Sequence, residues 1–171
     1  RAIAIRFDYM PAHLHLGMML LEQEKFDEAV EHLQHACRID PRQVLPHFDL
    51  GLAFAKRGDM IEAAEEFRAV LLIDPAYTPA HFRLGMLLAD SGQPELAATH
   101  FAEIVRLHPN RSLARINLAK VLQRFGQTDR ALEQYRRAAE LAEDSARALT
   151  GWSWLLAIHE DPTARDPQQA I

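Results

Sequence analysis

Three histidines stand 34 residues apart, at His13, His47 and His81, and Arg115 takes the next place. Imidazole is the commonest metal ligand and titrates near neutral pH, so such a column invites a metal or proton-sensing role. Helical phase argues for packing instead. The column falls with Leu16 and Leu20, on a face that would press between helices. Equivalent atoms of adjacent units would also lie about a helix diameter apart, ~10 Å, which is too far to share one ion. His13 and His15 are two apart and point to different faces of a helix. His32 and His35 can share a face, but with no third ligand they read as solvated surface. No metal is expected here: if His13, His47 and His81 only pack, zinc or nickel should not raise the melting temperature, and a stoichiometric rise would overturn the packing reading.

Other chemistry is sparse. Cys37 is the only cysteine, so there is no disulfide framework and no paired-thiol metal site. It lies in an apolar stretch and reads as a small buried hydrophobe. No Gly-rich phosphate loop, Ser nucleophile motif or His-Glu-x-x-His pattern occurs. The acids fall at ordinary helix-surface spacing. An enzyme active site and a bound cofactor are therefore not expected. The net charge of -5 argues against a nucleic-acid binder. No apolar run reaches the length of a membrane span. The chain opens on "RAIAIRFDY", without an initiator Met or a signal-peptide pattern, and reads as an excised or processed piece of unknown compartment, cytoplasmic or periplasmic.

The elements that must hold these residues repeat. Gly17, Gly51 and Gly85 share the 34-residue step, continued by Ala119. Ala29, Ala63, Ala97 and Ala131 keep it, as do Pro41, Pro75 and Pro109, then Gly58, Gly92 and Gly126, then Leu33, Phe67, Phe101 and Tyr135. Apolar spacing within each unit is helical: Leu14, Met18 and Leu21 mark one face of a first helix, and a second stretch runs from Asp27 to Ile39. The glycines suit a left-handed residue ending the first helix, and the prolines stop the second. Thr78 and Ser112 stand where N-caps are needed, and Pro79 suits a first helical turn. The small residue at Gly17, Gly51 and Gly85 lets two helices approach closely.

A 34-residue helix–turn–helix with a Leu-Gly pair, an Ala and an aromatic, and a closing Pro resembles the tetratricopeptide repeat (TPR). The resemblance covers nearly the whole chain and implies an all-α, right-handed α-solenoid of antiparallel helix pairs. Residues 1–171 then form a single solenoid domain. Residues 10–43, 44–77, 78–111 and 112–145 are four repeats, residues 1–9 end a preceding one, and residues 146–171 begin a fifth. The pattern departs at Glu24, where the turn Gly is expected, at Glu143, where the closing Pro is missing, and in the long turn "HEDPTARDPQQA". That last passage resembles the closing repeats of bacterial multi-TPR proteins.

The resemblance implies a concave groove lined by the first helices. One column facing it reads Leu14, Phe48, Phe82 and Ile116. The next reads Met18, Leu52, Met86 and Lys120, followed by Trp154. A stripe of Phe and Met fits an amphipathic helix or apolar peptide, and equally fits packing against neighbouring units. TPR clamps for chaperone C-termini place Lys and Asn where this chain has Leu14 and Met18, so that mode is not supported. The Asn ladder of the O-GlcNAc transferase type is also missing, since its column reads His15, Asp49, Arg83 and Asn117. Arg111, Arg115, Lys120 and Arg124 precede any acid until Asp129, and Asn117, Lys120 and Arg124 fall on or beside the groove phase. They read as a solvated helix face or as a basic end to an apolar groove. The resulting expectation is a non-catalytic scaffold for a protein or peptide partner with apolar anchors and an acidic flank. Two other readings are a docking arm of a larger enzyme and a self-assembly unit. Apolar residues at both ends, including Trp152 and Leu155, point to end-to-end association.

Overall fold

The computed structural model describes residues 9–141 and, beyond them, Thr150, Gly151, Ser153 and Ala157. Trp152, Trp154, Glu143, the opening "AIAI" and the closing long turn lie outside the described residues. Eight helices lie between Met10 and Leu141: α1 (Met10–Glu22), α2 (Phe26–Ile39), α3 (Val44–Arg57), α4 (Met60–Ile73), α5 (Thr78–Asp90), α6 (Pro94–Leu107), α7 (Ser112–Arg124) and α8 (Thr128–Leu141). Thr150, Gly151, Ser153 and Ala157 are helical as well, and no strand occurs among the described residues. First helices begin at Met10, Val44, Thr78 and Ser112, each 34 residues after the last. The chain divides into two compact units, one ending at Leu84 and one starting at Gly85, so the boundary falls inside α5.

In the first unit α1 packs on α2, α2 on α3, and α3 on α4; in the second α6 packs on α7 and α7 on α8. The second helices supply the same buried triplet each time, at i, i+4 and i+7: Ala29, Leu33 and Ala36; Ala63, Phe67 and Val70; Ala97, Phe101 and Ile104; Ala131, Tyr135 and Ala138. That spacing is one helical face. The central side chain of the triplet lies against the small residue of the first helix. A Cβ placed on Gly17 would stand 2.5 Å from Leu33 Cγ, and one on Gly51 would stand 2.7 Å from Phe67 Cε1. Only a residue without a side chain lets these helices come so close.

The turns repeat as faithfully as the core. The residue after each left-handed position donates its N–H to the carbonyl five residues back: Lys25 to Leu20, Asp59 to Phe54, Gln93 to Leu88 and Gln127 to Leu122. Gly58, Gly92 and Gly126 hold φ of 101°, 76° and 69° as expected. Glu24, which breaks the glycine column, takes the same conformation with φ of 59°. Its side chain therefore meets the steric penalty that glycine avoids. Glu24→Gly is expected to stabilise the chain by about 0.5–1 kcal/mol, the left-handed penalty less the entropy glycine loses. Thermal unfolding of the two proteins checks this, and an unchanged or lower melting temperature contradicts it.

The prolines act as expected, each second helix ending two residues before its Pro. The N-cap expectation at Ser112 is corrected. Ser112 is already the first helical residue, the cap position belongs to Arg111, and no side chain caps that end. Thr78 likewise opens α5 from within the helix. Among the described residues no helix is long and apolar enough to cross a membrane.

Candidate functional site

The histidine column proves to be a polar stitch rather than apolar packing. His47 Nε2–H donates to the Pro41 carbonyl at 3.2 Å and His81 Nε2–H to the Pro75 carbonyl at 2.9 Å. Arg115 continues the pattern, its Nε and Nη2 donating to the Pro109 carbonyl at 3.2 and 2.9 Å. Each bond ties a first helix to the loop that leads into it. His13, His47 and Arg115 also reach the second helix of their own repeat, nineteen residues on. His13 Nδ1 meets His32 Nδ1 at 3.0 Å, His47 Nδ1–H donates to Glu66 Oε2 at 2.6 Å, and Arg115 Nη1 donates to Gln134 Oε1 at 3.2 Å. Arg115 therefore keeps the column's role with different chemistry.

Two clusters that sequence spacing does not reveal arise from this stitch. The His13 ring lies 5.2 Å from the His32 ring and 5.1 Å from the His35 ring, centroid to centroid, so the pair on α2 gains a third imidazole. Burial first, then the Arg38 charge and the neighbouring imidazoles, lowers the His35 pKa. At the next repeat His47 meets Glu66 and also Cys37 of α2. Hydrogen bonding to the Cys37 sulfur first, and to the Glu66 carboxylate second, outweighs burial and pushes His47 up to about 10. Cys37 is only partly buried and has polar company, not the apolar surroundings its sequence suggests.

The groove columns divide by exposure. In the first unit Met18 is 43% exposed, whereas Leu14 is buried at 8%. Leu52 and Phe82 are half-buried. Phe48 is half-buried as well, its ring 5.7 Å from Phe67 and edge-on to Tyr77 at 5.3 Å. In the second unit Met86 is 40% exposed and Ile116 is buried at 3%. Asn117 is half-buried, and Lys120 and Arg124 are exposed. Leu14 and Ile116 are thus corrected from groove residues to core, because neighbouring helices close over them. Leu45 and Leu113, three residues before Phe48 and Ile116, are instead exposed. Their column holds Pro11 and Pro79 in the other repeats, which hid it in the sequence.

Charge on this face is uneven. Arg106 pairs with Glu103, and Arg136 and Arg137 pair with Glu133, all on second helices. Lys120 and Arg124 of α7 form no ion pair among the described residues. In the first unit Asp49 of α3 is half-buried, and burial pushes its carboxyl up to about 6. Tyr77 is raised by its own burial and then by the charges of Asp49 and Asp74.

The cost of burying Asp49 is testable. Its folded pKa lies above the value of 3.8 for a free carboxyl, so the folded chain holds this proton more tightly than the unfolded chain. That contribution is complete below about pH 4 and disappears as the pH rises through about 6. Above pH 6 the native state must bear a desolvated carboxylate. Asp49→Asn is therefore expected to melt higher than wild type at pH 7, with the advantage vanishing near pH 4. A lower melting temperature at pH 7 would show that the carboxylate has a stabilising partner.

Family models place this pattern among known proteins. A TPR repeat model matches residues 17–58, and tetratricopeptide repeat models match residues 46–77 and 88–151. No curated protein is significantly similar in sequence. Solved structures share the fold. MamA of Desulfovibrio magneticus RS-1, from its residue 41 onward, superposes with a TM-score of 0.81 at 22% identity over 94% of this chain and 91% of its own. YrrB, described as a TPR protein with an unusual peptide-binding site, gives 0.79 at 20% identity over 93% and 82%. PilF of Pseudomonas aeruginosa gives 0.72 at 23% identity over 91% and 71%. Helix pairs on a 34-residue step, a left-handed residue in every turn and family models over most of the described residues together place the chain in the tetratricopeptide repeat family.

Proposed function

We propose that the chain is a non-catalytic protein-interaction scaffold that holds a peptide or helix bearing apolar anchors and an acidic flank. The observation that carries this reading is the basic pair Lys120 and Arg124, exposed on a first helix and in no ion pair among the described residues, whereas Arg106, Arg136 and Arg137 on second helices pair with neighbouring glutamates. Charge left unpaired on a surface draws an opposite charge and sets its register. Apolar anchors have a place in each unit. The first unit offers Met18, Phe48, Leu52 and Phe82, and the second offers Met86 and Asn117. Methionine adapts to irregular apolar shapes, which suits a peptide groove. Trp154 would extend the stripe and lies outside the described residues. The peptide-binding description of YrrB adds a precedent on this fold.

A peptide-display selection on the immobilised chain tests this directly. Enriched peptides are expected to carry apolar anchors followed by Asp or Glu, and to bind more weakly as salt rises. Lys120→Glu/Arg124→Glu should weaken the selected peptides about 5- to 30-fold, as the loss of two partly exposed charge pairs would. Enrichment of basic peptides, or equal binding by the charge-reversed variant with its fold intact, would refute an acidic flank.

A further inference from the structure

Cys37 on α2, His47 on α3 and Glu66 on α4 bring a thiol, an imidazole and a carboxylate together inside the first unit. Their three ligand atoms all lie within 4.8 Å of one another, the only such convergence of ligand-type side chains among the described residues. We propose that these three side chains form a binding site for one divalent metal ion of the zinc class, with water in the fourth position.

The donor set fits that class. One soft sulfur, one imidazole nitrogen and one carboxylate oxygen suit zinc and its cobalt surrogate, whereas calcium and magnesium want oxygen alone. A tetrahedron with metal–nitrogen and metal–oxygen bonds of about 2.1 Å and a metal–sulfur bond of about 2.3 Å separates its ligand atoms by roughly 3.3–3.6 Å. The present spacing brackets that range. The Nδ1–Oε2 distance of 2.6 Å is the shorter one expected when a proton, not an ion, bridges the two. His47 is already oriented for ligation, since its Nε2–H donates to the Pro41 carbonyl and leaves Nδ1 to face the cluster. Metal-binding histidines are commonly held by such an outer bond, which fixes ring and tautomer. Binding would displace one proton from Nδ1 and one from the thiol. The resulting thiolate and carboxylate then balance the charge of the ion.

The cluster is a local elaboration of the repeated stitch. The positions matching Cys37 are Leu71, Val105 and Ala139, and those matching Glu66 are His32, His100 and Gln134. Only at His47 does the column meet both a thiol and a carboxylate. The three ligands come from α2 of repeat 10–43 and from both helices of repeat 44–77. An ion there would clamp two consecutive repeats, strengthening the nearest-neighbour interface on which a solenoid depends.

Titration of the reduced, metal-free chain with cobalt(II) tests the site. One equivalent is expected to bind, with a thiolate-to-cobalt charge-transfer band in the near ultraviolet and the intense visible bands of four-coordinate cobalt. Zinc should bleach both and raise the melting temperature. Cys37→Ala should abolish the charge-transfer band. His47→Gln and Glu66→Gln should each weaken cobalt by more than the roughly 10–100-fold that loss of an outer partner costs. Circular dichroism of each metal-free variant shows whether it is folded, and Glu66→Gln keeps a hydrogen bond to His47 if the others are not. Three outcomes would overturn the proposal. One is no cobalt–thiolate band, with Cys37 instead alkylating rapidly below neutral pH as an isolated thiolate–imidazolium pair. Another is one cobalt per two chains with concentration-dependent binding. The third is unchanged cobalt affinity in folded His47→Gln and Glu66→Gln.

Discussion

Phe67→Ala is expected to destabilise the chain by about 3–5 kcal/mol, and Gly51→Ala to recover part of that loss although it is itself destabilising. Phe67 is fully buried, and the Phe48 ring lies beside it at 5.7 Å. Truncation to alanine removes the ring from a site that cannot collapse, so a cavity remains. The Gly51 change acts in the opposite sense. Its new methyl would stand 2.7 Å from Cε1 and 3.0 Å from Cδ1 of that same ring, which has no room to move away. Overpacking of this kind costs about 1–3 kcal/mol, against a helix-propensity gain for alanine of about 1 kcal/mol. With the ring gone, the methyl points into the cavity and the propensity gain survives. The double variant should therefore be more stable than the sum of the single changes predicts, by about 0.5–3 kcal/mol. Urea unfolding of the four proteins measures this. Simple additivity would mean that Gly51 does not owe its identity to Phe67.

That pair also shows what could be read from residues alone. The 34-residue step named Gly51 and Phe67 as columns of one unit, and the need for a close approach followed from a missing side chain. The turns were legible for the same reason, because a left-handed residue and a stopping proline act within a few residues of chain. Glu24 shows how far this extends: the turn keeps its geometry when its preferred residue is absent, since the hydrogen bond from Lys25 to Leu20 holds it. The N-cap expectation at Ser112 missed by one residue, a shift that local chain preference does not fix.

Surface position was harder to read. Helical phase gives the direction in which Leu14 and Ile116 point, but not how far a neighbouring helix covers them. Phase could likewise not show that Leu45 and Leu113 stay open, since proline occupies their column in two repeats. The cluster at His47 depends on the register of three helices. Comparison of His13, His47 and His81 with one another looked along the solenoid for metal partners, while Cys37 and Glu66 lie across it. The signal was present in another form: an acid nineteen residues after a column histidine, in a fold whose second helix returns beside the first.

The scaffold reading predicts that a partner's apolar anchors seat on Phe48 and Phe82, both half-buried in the first unit. Aromatic side chains in half-covered positions have the contact area of binding hot spots while remaining fixed by their own packing. Removal of both rings should therefore cost more than the charge reversal at Lys120 and Arg124. The most direct measurement is the affinity of one selected apolar–acidic peptide for wild type and for Phe48→Ala/Phe82→Ala, with circular dichroism and thermal melts on both. The expected result is a folded double variant, less stable because Phe48 leaves its place beside Phe67 and Tyr77, that binds the peptide about 30- to 1,000-fold more weakly. Unchanged affinity in the folded double variant would contradict the account and move the binding surface away from these first helices.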